Sequence, residues 1–239
     1  MQRAICLLAL ACLAAPSPAA QGFEHDSVLV AGEWYAYSVH LPAGYPGGRR
    51  WPAVLVLHGA GSRGRDGRRH LGQSVVEAAR TFPERYPAVL VLPQCRPGER
   101  WTGRAGRAAE RALDRAAARY AVDPDRVYLA GQSMGADGVF ELAGRAPGRY
   151  AALLAVAVGW GEPDFDAAAL HALPVRVYHG TLDRIPIARA RARAGRLRAA
   201  GNRGAELHEM AGRGHEIFDE VYRDPSVSDW LFAQWRARR

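Results

Sequence analysis

Short apolar runs alternate with helix-like segments through most of this chain, and that alternation restricts the fold more than any other feature. The apolar runs are of strand length and mostly continuous, which is typical of strands buried on both faces. They lie at 53–57, 88–92, 126–130, 151–158, 175–178 and 205–210. Segments with helical spacing of apolar residues separate them, at 71–80, 105–120, 134–145, 188–200 and 227–235. The pattern predicts an α/β fold with a mostly parallel central sheet and helices on both faces.

Two further features of the sequence predict an antiparallel strand pair at one edge of the sheet and the absence of a lid over it. Residues 27–30 and 34–41 alternate apolar and polar side chains around Ala31-Gly32, which is typical of a β-hairpin at a sheet edge. Further along, only about fifteen residues separate the apolar run ending at Val158 from the one starting near Val175. This connection is too short for a sizeable lid.

Residues 1–20 have the order of a secretory signal peptide. Arg3 gives the positive start, residues 4–15 are apolar, and the segment ends in Ala19-Ala20. The apolar run is too short for a permanent membrane span. Cleavage after Ala20 would leave 21–239 as a single domain in a secreted or periplasmic location. Lipidation at Cys12 is the second option.

Composition excludes several functional classes. The 32 basic residues are all arginine, and the absence of lysine excludes a Walker A phosphate loop and a lysine Schiff base. The net charge is +8, but the arginine-rich runs 63–69 and 189–198 lack interleaved aromatic residues, so we interpret them as solvated faces. Once the predicted signal peptide is removed, Cys95 is the one remaining cysteine, and the sequence has no spacing typical of zinc ligands. We therefore expect no metal, no cofactor and no nucleic-acid partner.

The sequence Gly131-Gln132-Ser133-Met134-Gly135 is the motif with the clearest chemistry. It lies between an apolar strand and a helix, which is the context that a G-x-S-x-G nucleophile turn requires. Its two glycines let the strand and the helix approach closely, and the helix N-terminus offers amides to a developing oxyanion. We predict that Ser133 is a nucleophile; the alternative is a small serine in a tight turn.

A serine nucleophile needs a neighbouring base and a group that orients that base. In the fold class expected here, the acid and then the histidine follow the serine along the chain. His215 lies in the glycine-rich loop 212–215 beyond the last predicted strand. A loop there can reach over the strand ends, so we predict that His215 is the base. Of the other histidines after Ser133, His171 lies in a short segment expected to be helical, His179 ends a predicted strand and His208 lies inside one.

Asp183 is the predicted orienting acid. It directly follows the strand predicted at 175–178, in the sequence His179-Gly180-Thr181-Leu182-Asp183. Two alternatives remain open. Asp183 caps the helix that follows, or the acid is Asp164 or Asp166, which follow the preceding strand.

Small residues also follow the strand predicted at 53–57, in the sequence His58-Gly59-Ala60-Gly61. Backbone amides in such a segment can face a carbonyl oxygen. We predict that the amides of Ala60 and Met134 form an oxyanion hole, with Gly61 in reserve, and that His58 braces the loop.

The same segment matches a dinucleotide-binding pattern, Gly59-x-Gly61-x-x-Gly64. An arginine-rich loop follows it, whereas a bound pyrophosphate needs a helix N-terminus there. We therefore prefer the oxyanion-loop interpretation.

Together these motifs resemble the α/β-hydrolase serine esterases, in particular the branch with polyhydroxybutyrate-depolymerase-like, feruloyl-esterase-like, predicted-peptidase and dienelactone-hydrolase proteins. The resemblance runs from about residue 50 onward. It includes the nucleophile region, the oxyanion, acid and histidine loops, and a closing helix: 123–135, 57–61, 179–183, 212–215 and Trp230-Leu231-Phe232. It implies that Ser133, Asp183 and His215 form a triad that cleaves small-molecule or oligomeric esters through an acyl-enzyme intermediate.

The sequence departs from that family at two places, and both concern the substrate. Ala136-Asp137 stand where relatives usually carry glycine and an aromatic or small residue, and Arg184-Ile185-Pro186 replace a small or apolar loop. Trp101 and Trp160 are candidates for lining the pocket, or else core and rim aromatics. A peptidase of the same fold and a non-catalytic binding protein are the competing interpretations.

Overall fold

The computed structural model describes residues 22–161 and 165–236. The signal peptide predicted at 1–20, with Cys12, and the reserve acid Asp164 lie outside the described residues. Within the described part of the chain, no helix is both long and apolar enough to cross a membrane.

The strands form one eight-stranded sheet. They are β1 (Phe23–Val30), β2 (Glu33–His40), β3 (Trp51–Leu57), β4 (Val89–Pro93), β5 (Val122–Gln132), β6 (Ala152–Val156), β7 (Val175–Gly180) and β8 (Ala205–Met210). Their order across the sheet is β1-β2-β4-β3-β5-β6-β7-β8. β2 pairs antiparallel with β1 and β4, and every other pair is parallel. This confirms the mostly parallel sheet with a hairpin at one edge.

Helices cover both faces of the sheet, as the sequence predicts. They are α1 (Ser74–Thr81), α2 (Gly103–Arg119), α3 (Met134–Arg145), α4 (Ile187–Ala199), α5 (Phe218–Arg223) and α6 (Pro225–Ala233). The buried side chains of α2, α3 and α4 belong to one apolar cluster, and those of α1, α5 and α6 to another. Strand β3 shows why its run is continuously apolar, because Leu55 and Leu57 face the first cluster while Val54 and Val56 face the second.

Among the boundaries that differ from the sequence prediction, two belong to the last helix and to strand β6. The helix predicted at 227–235 is wrong in extent, because α6 begins at Pro225 and ends at Ala233, and the short helix α5, which the sequence pattern does not predict, precedes it. Asp224 caps α6 by accepting a hydrogen bond from the Ser226 amide at 2.8 Å, and Pro225 occupies the first helical position. The strand predicted to reach Val158 ends at Val156, where Ala157 turns the chain with a φ of 50°.

The connection from β6 to β7 is short and leaves the carboxyl ends of the strands accessible. In its described part it contains one regular element, the 3₁₀ helix Ala168–Leu170. Because the parallel strands all end at this edge, the loops after β3, β5, β7 and β8 meet there. These loops carry the residues that the sequence analysis selects.

Candidate active site

Ser133 occupies a sharp turn between β5 and α3. Its backbone has φ 52° and ψ −117°, a conformation that side-chain-bearing residues rarely adopt. The turn is held because the Ser133 amide donates to Val156 O at 2.9 Å, and Ser133 O accepts from the Ala136 amide at 2.9 Å. The half-buried hydroxyl is thereby presented at the edge of the sheet.

The glycines on either side make this turn sterically feasible. A Cβ on Gly135 would lie 1.8 Å from Leu57 O, and a Cβ on Gly131 would lie 2.3 Å from Gly135 O. The distances confirm that both positions require glycine because strand and helix backbones approach closely there.

We expect Gly135→Ala to destabilise the protein by more than about 4 kcal/mol, because the added methyl meets a backbone oxygen that cannot move aside. Chemical denaturation with fluorescence detection measures the change. The matched control is Gly195→Ala in α4, where nothing lies within 4 Å of the new Cβ and helix propensity predicts a gain of about 0.5–1 kcal/mol. Equal stability of the two variants would contradict the steric argument.

The structure brings Ser133, His215 and Asp183 together in one hydrogen-bonded chain. His215 Nε2 lies 3.0 Å from Ser133 Oγ, and His215 Nδ1 lies 2.7 Å from Asp183 Oδ2. The Asp183 carboxylate is completely buried, whereas the His215 ring is 10% exposed. Of these two residues, His215 is therefore the one that solvent and a ligand can reach.

A second histidine lies beneath the acid. The Ile185 amide donates to Asp183 Oδ1 at 2.8 Å, which fixes that oxygen away from His215. His179 is fully buried; its Nε2 donates to Ile185 O at 2.9 Å and lies 3.5 Å from Asp183 Oδ2. His179 thus holds the turn that carries Asp183, and the sequence alone does not predict this contact.

The acid loop and the histidine loop are joined directly. The Leu182 amide donates to Arg213 O at 2.9 Å, and the Gly212 amide donates to Thr181 Oγ1 at 2.9 Å. Gly180 permits this contact, since a Cβ there would lie 2.2 Å from Gly214 O. The backbone therefore sets the distance between Asp183 and His215.

The loop after β3 approaches the serine from the other side. A Cβ on Gly59 would lie 3.4 Å from Ser133 Cβ, and Ala60 begins a 3₁₀ helix directly after it. Met134 is the first residue of α3, so its amide has no acceptor within the helix. The two predicted oxyanion donors thus belong to segments that meet at the serine.

His58 lies behind this loop rather than in the hydrogen-bonded chain. Its Nε2 accepts from the Cys95 amide at 3.0 Å, so Nδ1 carries the hydrogen and donates to Gly59 O at 2.7 Å. Burial lowers the pKa of His58 to about 4, which keeps the ring neutral. Trp101 Nε1 donates to His58 O at 2.9 Å. The ring braces the loop from inside the core.

The reserve candidates lie elsewhere. Asp166 accepts from the Ala168 and Ala169 amides, at 3.0 and 3.1 Å. His208 is paired with Glu206, and His171 contacts Ala168 O. None of these contacts includes His215.

The two tryptophans selected for the pocket have different environments. Trp101 is buried in the core and lines a cavity beside Met134. Trp160 is 54% exposed on the loop after β6, with the Arg189 guanidinium 5.6 Å from its ring.

Sequence reasoning missed a buried ion pair beside the nucleophile. Arg193 belongs to the run 189–198, interpreted from the sequence as solvated, yet it is 1% exposed and donates to Asp137 Oδ1 at 2.6 Å. The interpretation is wrong for Arg193, which lies on the same helical stripe as Ala190, Ala194 and Leu197. That spacing is the signal that identifies its buried position.

By sequence, the chain matches no protein-family model and no curated protein. By structure, it resembles a thermostable esterase with a TM-score of 0.79 at 22% identity; the match covers 90% of this chain and spans 63% of that protein. It also resembles an S-formylglutathione hydrolase from Agrobacterium tumefaciens, with a TM-score of 0.68 at 17% identity. That match covers 90% of this chain and 96% of the hydrolase. A ferulic acid esterase gives a TM-score of 0.68 at 18% identity, and the match covers 88% of this chain and 98% of that esterase. These likenesses, together with the sheet order and the turn at Ser133, show that the chain has the α/β-hydrolase fold.

Proposed function

We propose that this protein is an exported serine hydrolase that cleaves carboxylic esters through an acyl-enzyme intermediate. The observation that carries the proposal is the hydrogen-bonded chain from Ser133 through His215 to Asp183. A neutral hydroxyl is a weak nucleophile, and a base in hydrogen-bond contact activates it. The export part of the proposal depends only on the order of residues 1–20.

In the first step, Ser133 Oγ attacks the ester carbonyl carbon while its proton passes to His215 Nε2. Asp183 holds the Nδ1–H group and stabilises the imidazolium that forms. The imidazolium then gives its proton to the departing alcohol oxygen as the carbon–oxygen bond breaks. In the second step, water attacks the acyl-serine, His215 takes the proton of that water, and the carboxylic acid leaves as Ser133 regains its hydrogen.

The negative charge on the carbonyl oxygen is the main obstacle in both steps. The amides of Ala60 and Met134 are proposed to donate to that oxygen, and the N-terminus of α3 adds a favourable dipole. Donors of this kind contribute about 3–4 kcal/mol each when they are fixed before the reaction. The closely packed turns around Ser133 supply that fixed arrangement.

We expect the chain 21–239 to hydrolyse 4-nitrophenyl butyrate faster than butyryl 4-nitroanilide by about 10²-fold or more, because expulsion of an amine depends more strongly on protonation. Release of nitrophenol or nitroaniline measures the two rates. A fluorophosphonate probe should label the protein. Preferential cleavage of the anilide would reassign the protein as a peptidase. Absence of both labelling and hydrolysis would overturn the proposal and favour a non-catalytic binding protein, because the probe reacts with an activated serine.

A further inference from the structure

A cavity of about 250 Å³ lies beside the nucleophile turn. One wall is apolar and includes Met134, Trp101, Phe140 and Phe165. Met134 follows Ser133 in the chain, so the cavity begins one residue from the proposed nucleophile. Pockets that enclose a whole drug-sized ligand have volumes of about 300–1,000 Å³. This cavity is therefore of a size to take part of a substrate.

Another part of the lining is built around the carboxylate of Asp137. Its Oδ1 accepts from the Gly159 amide at 3.0 Å and from Arg193 Nη2 at 2.6 Å. Its Oδ2 accepts from the Gly161 amide at 3.1 Å and from Arg100 Nη2 at 3.2 Å. Both oxygens thus hold the segment after β6 against α3.

The two glycines leave the space that this carboxylate occupies. A Cβ on Gly159 would lie 2.3 Å from Asp137 Oδ2, and a Cβ on Gly161 would lie 2.9 Å from the same oxygen. Burial raises the pKa of Asp137, and the nearby Arg193 guanidinium opposes that effect. A desolvated ion pair of this kind adds little net stability. Its contribution here is the fixed position of the segment 159–161.

The lining of the cavity matches a compact, uncharged group. Arg100 and Glu141 place opposite charges along it, so the lining favours neither a cationic nor an anionic ligand. The Asp137 carboxylate is matched by Arg193. Much of the remaining surface is aromatic or thioether, which favours apolar atoms.

We propose that Asp137, held by Arg193, is a positioning and specificity-determining residue that fixes the segment 159–161, of which Gly161 lines this cavity. The cavity binds the compact, uncharged group on one side of the scissile ester. The inference rests on the proposed ester hydrolysis. Because the cavity contacts the part of the substrate that does not react, its wall governs binding and chain-length preference more than the chemical step.

The test measures kcat and KM for 4-nitrophenyl acetate, butyrate, hexanoate and octanoate, and for butyrate esters of methanol, butanol and octanol. Asp137→Asn keeps the shape of the side chain, but its amide NH₂ faces two donors in place of an accepting oxygen. We expect KM for the preferred short ester to rise at least about tenfold, with kcat changed less than about threefold. The preference for short over long chains should also flatten. The series that responds, acyl or alcohol, identifies the side of the ester that the cavity holds.

A second variant covers the case in which Asp137→Asn does not fold. Gly161→Ala places a methyl 2.9 Å from the Asp137 carboxylate, whose side chain can shift, and the Gly161 backbone needs no positive φ. We expect the same flattening of chain-length preference. The control is Glu110→Gln, which removes an ion pair with Arg145 at 3.0 Å between α2 and α3 and should leave the preference unchanged.

Unchanged chain-length preference in the folded variants of both Asp137 and Gly161 would overturn the inference. A uniform loss of kcat for every ester would also overturn it, since Asp137 would then act on the nucleophile and not on the wall. Both results presuppose an active parent protein. An inactive parent would instead contradict the proposed function, so the two failures are distinguishable.

Discussion

Replacing Ser133 with alanine is expected to lower kcat for 4-nitrophenyl butyrate by about 10⁴–10⁶-fold. The hydroxyl is the only group in the hydrogen-bonded chain that can form the proposed acyl-enzyme, and His215 and Asp183 have no function in that reaction without it. Loss of a serine nucleophile has effects of about this size in enzymes with the same arrangement. Initial rates at saturating substrate, together with fluorophosphonate labelling, measure the loss.

The control is Ser226→Ala, which removes an exposed hydroxyl at the start of α6. It should keep the activity and labelling of the parent protein. The double variant Ser133→Ala/His215→Ala should be no less active than Ser133→Ala alone, because the two groups act as one unit. Substantial activity in Ser133→Ala would mean that another residue attacks the ester.

The site residues could be predicted from sequence because each lies in a short motif directly after a strand. His215 and Ser133 are 82 positions apart in the chain, yet both follow strands of one largely parallel sheet. Parallel strands end at a common edge, so recognition of the strands is enough to expect the loops to meet. Local turn chemistry at Gly131 and Gly135 provides the remaining signal.

The Asp137–Arg193 pair shows where sequence reasoning stops. The two residues are 56 positions apart, and Arg193 lies in a helix in which arginine recurs at almost every second position. Composition therefore favours a solvated helix. The helical spacing of the buried residues marks position 193 as buried, but no local pattern encodes how α4 packs beside the loop after β6 and thereby places the guanidinium against Asp137.

The missed helix α5 has a different cause. Its six residues, Phe218–Arg223, are too few to show a helical period. The start of α6 is, however, encoded locally by the capping Asp224 and by Pro225. The boundary was predictable from these two residues, whereas α5 depends on tertiary contacts, as the burial of Val221 and Tyr222 shows.

We expect Asp183→Asn to lower kcat by about 10³–10⁴-fold while the fold persists. The Ile185 amide donates to Asp183 Oδ1, so the asparagine oxygen must take that place, and its NH₂ group then faces His215 Nδ1. Two donors cannot face each other, and the imidazole is driven to carry its hydrogen on Nε2, which lies 3.0 Å from Ser133 Oγ. In that tautomer Nε2 cannot accept the serine proton. Steady-state kinetics measure kcat, and circular dichroism confirms that the variant is folded.

The matched control for this substitution is Asp166→Asn. Asp166 is also a carboxylate that accepts hydrogen bonds from two backbone amides, but it has no contact with the His215 imidazole. It should retain the activity of the parent protein, because a side-chain amide oxygen can still accept from the Ala168 and Ala169 amides. If Asp166→Asn lost activity while Asp183→Asn kept it, the assignment of the orienting acid would be wrong. The outcome depends on the tautomer of His215, since both variants remove a single negative charge.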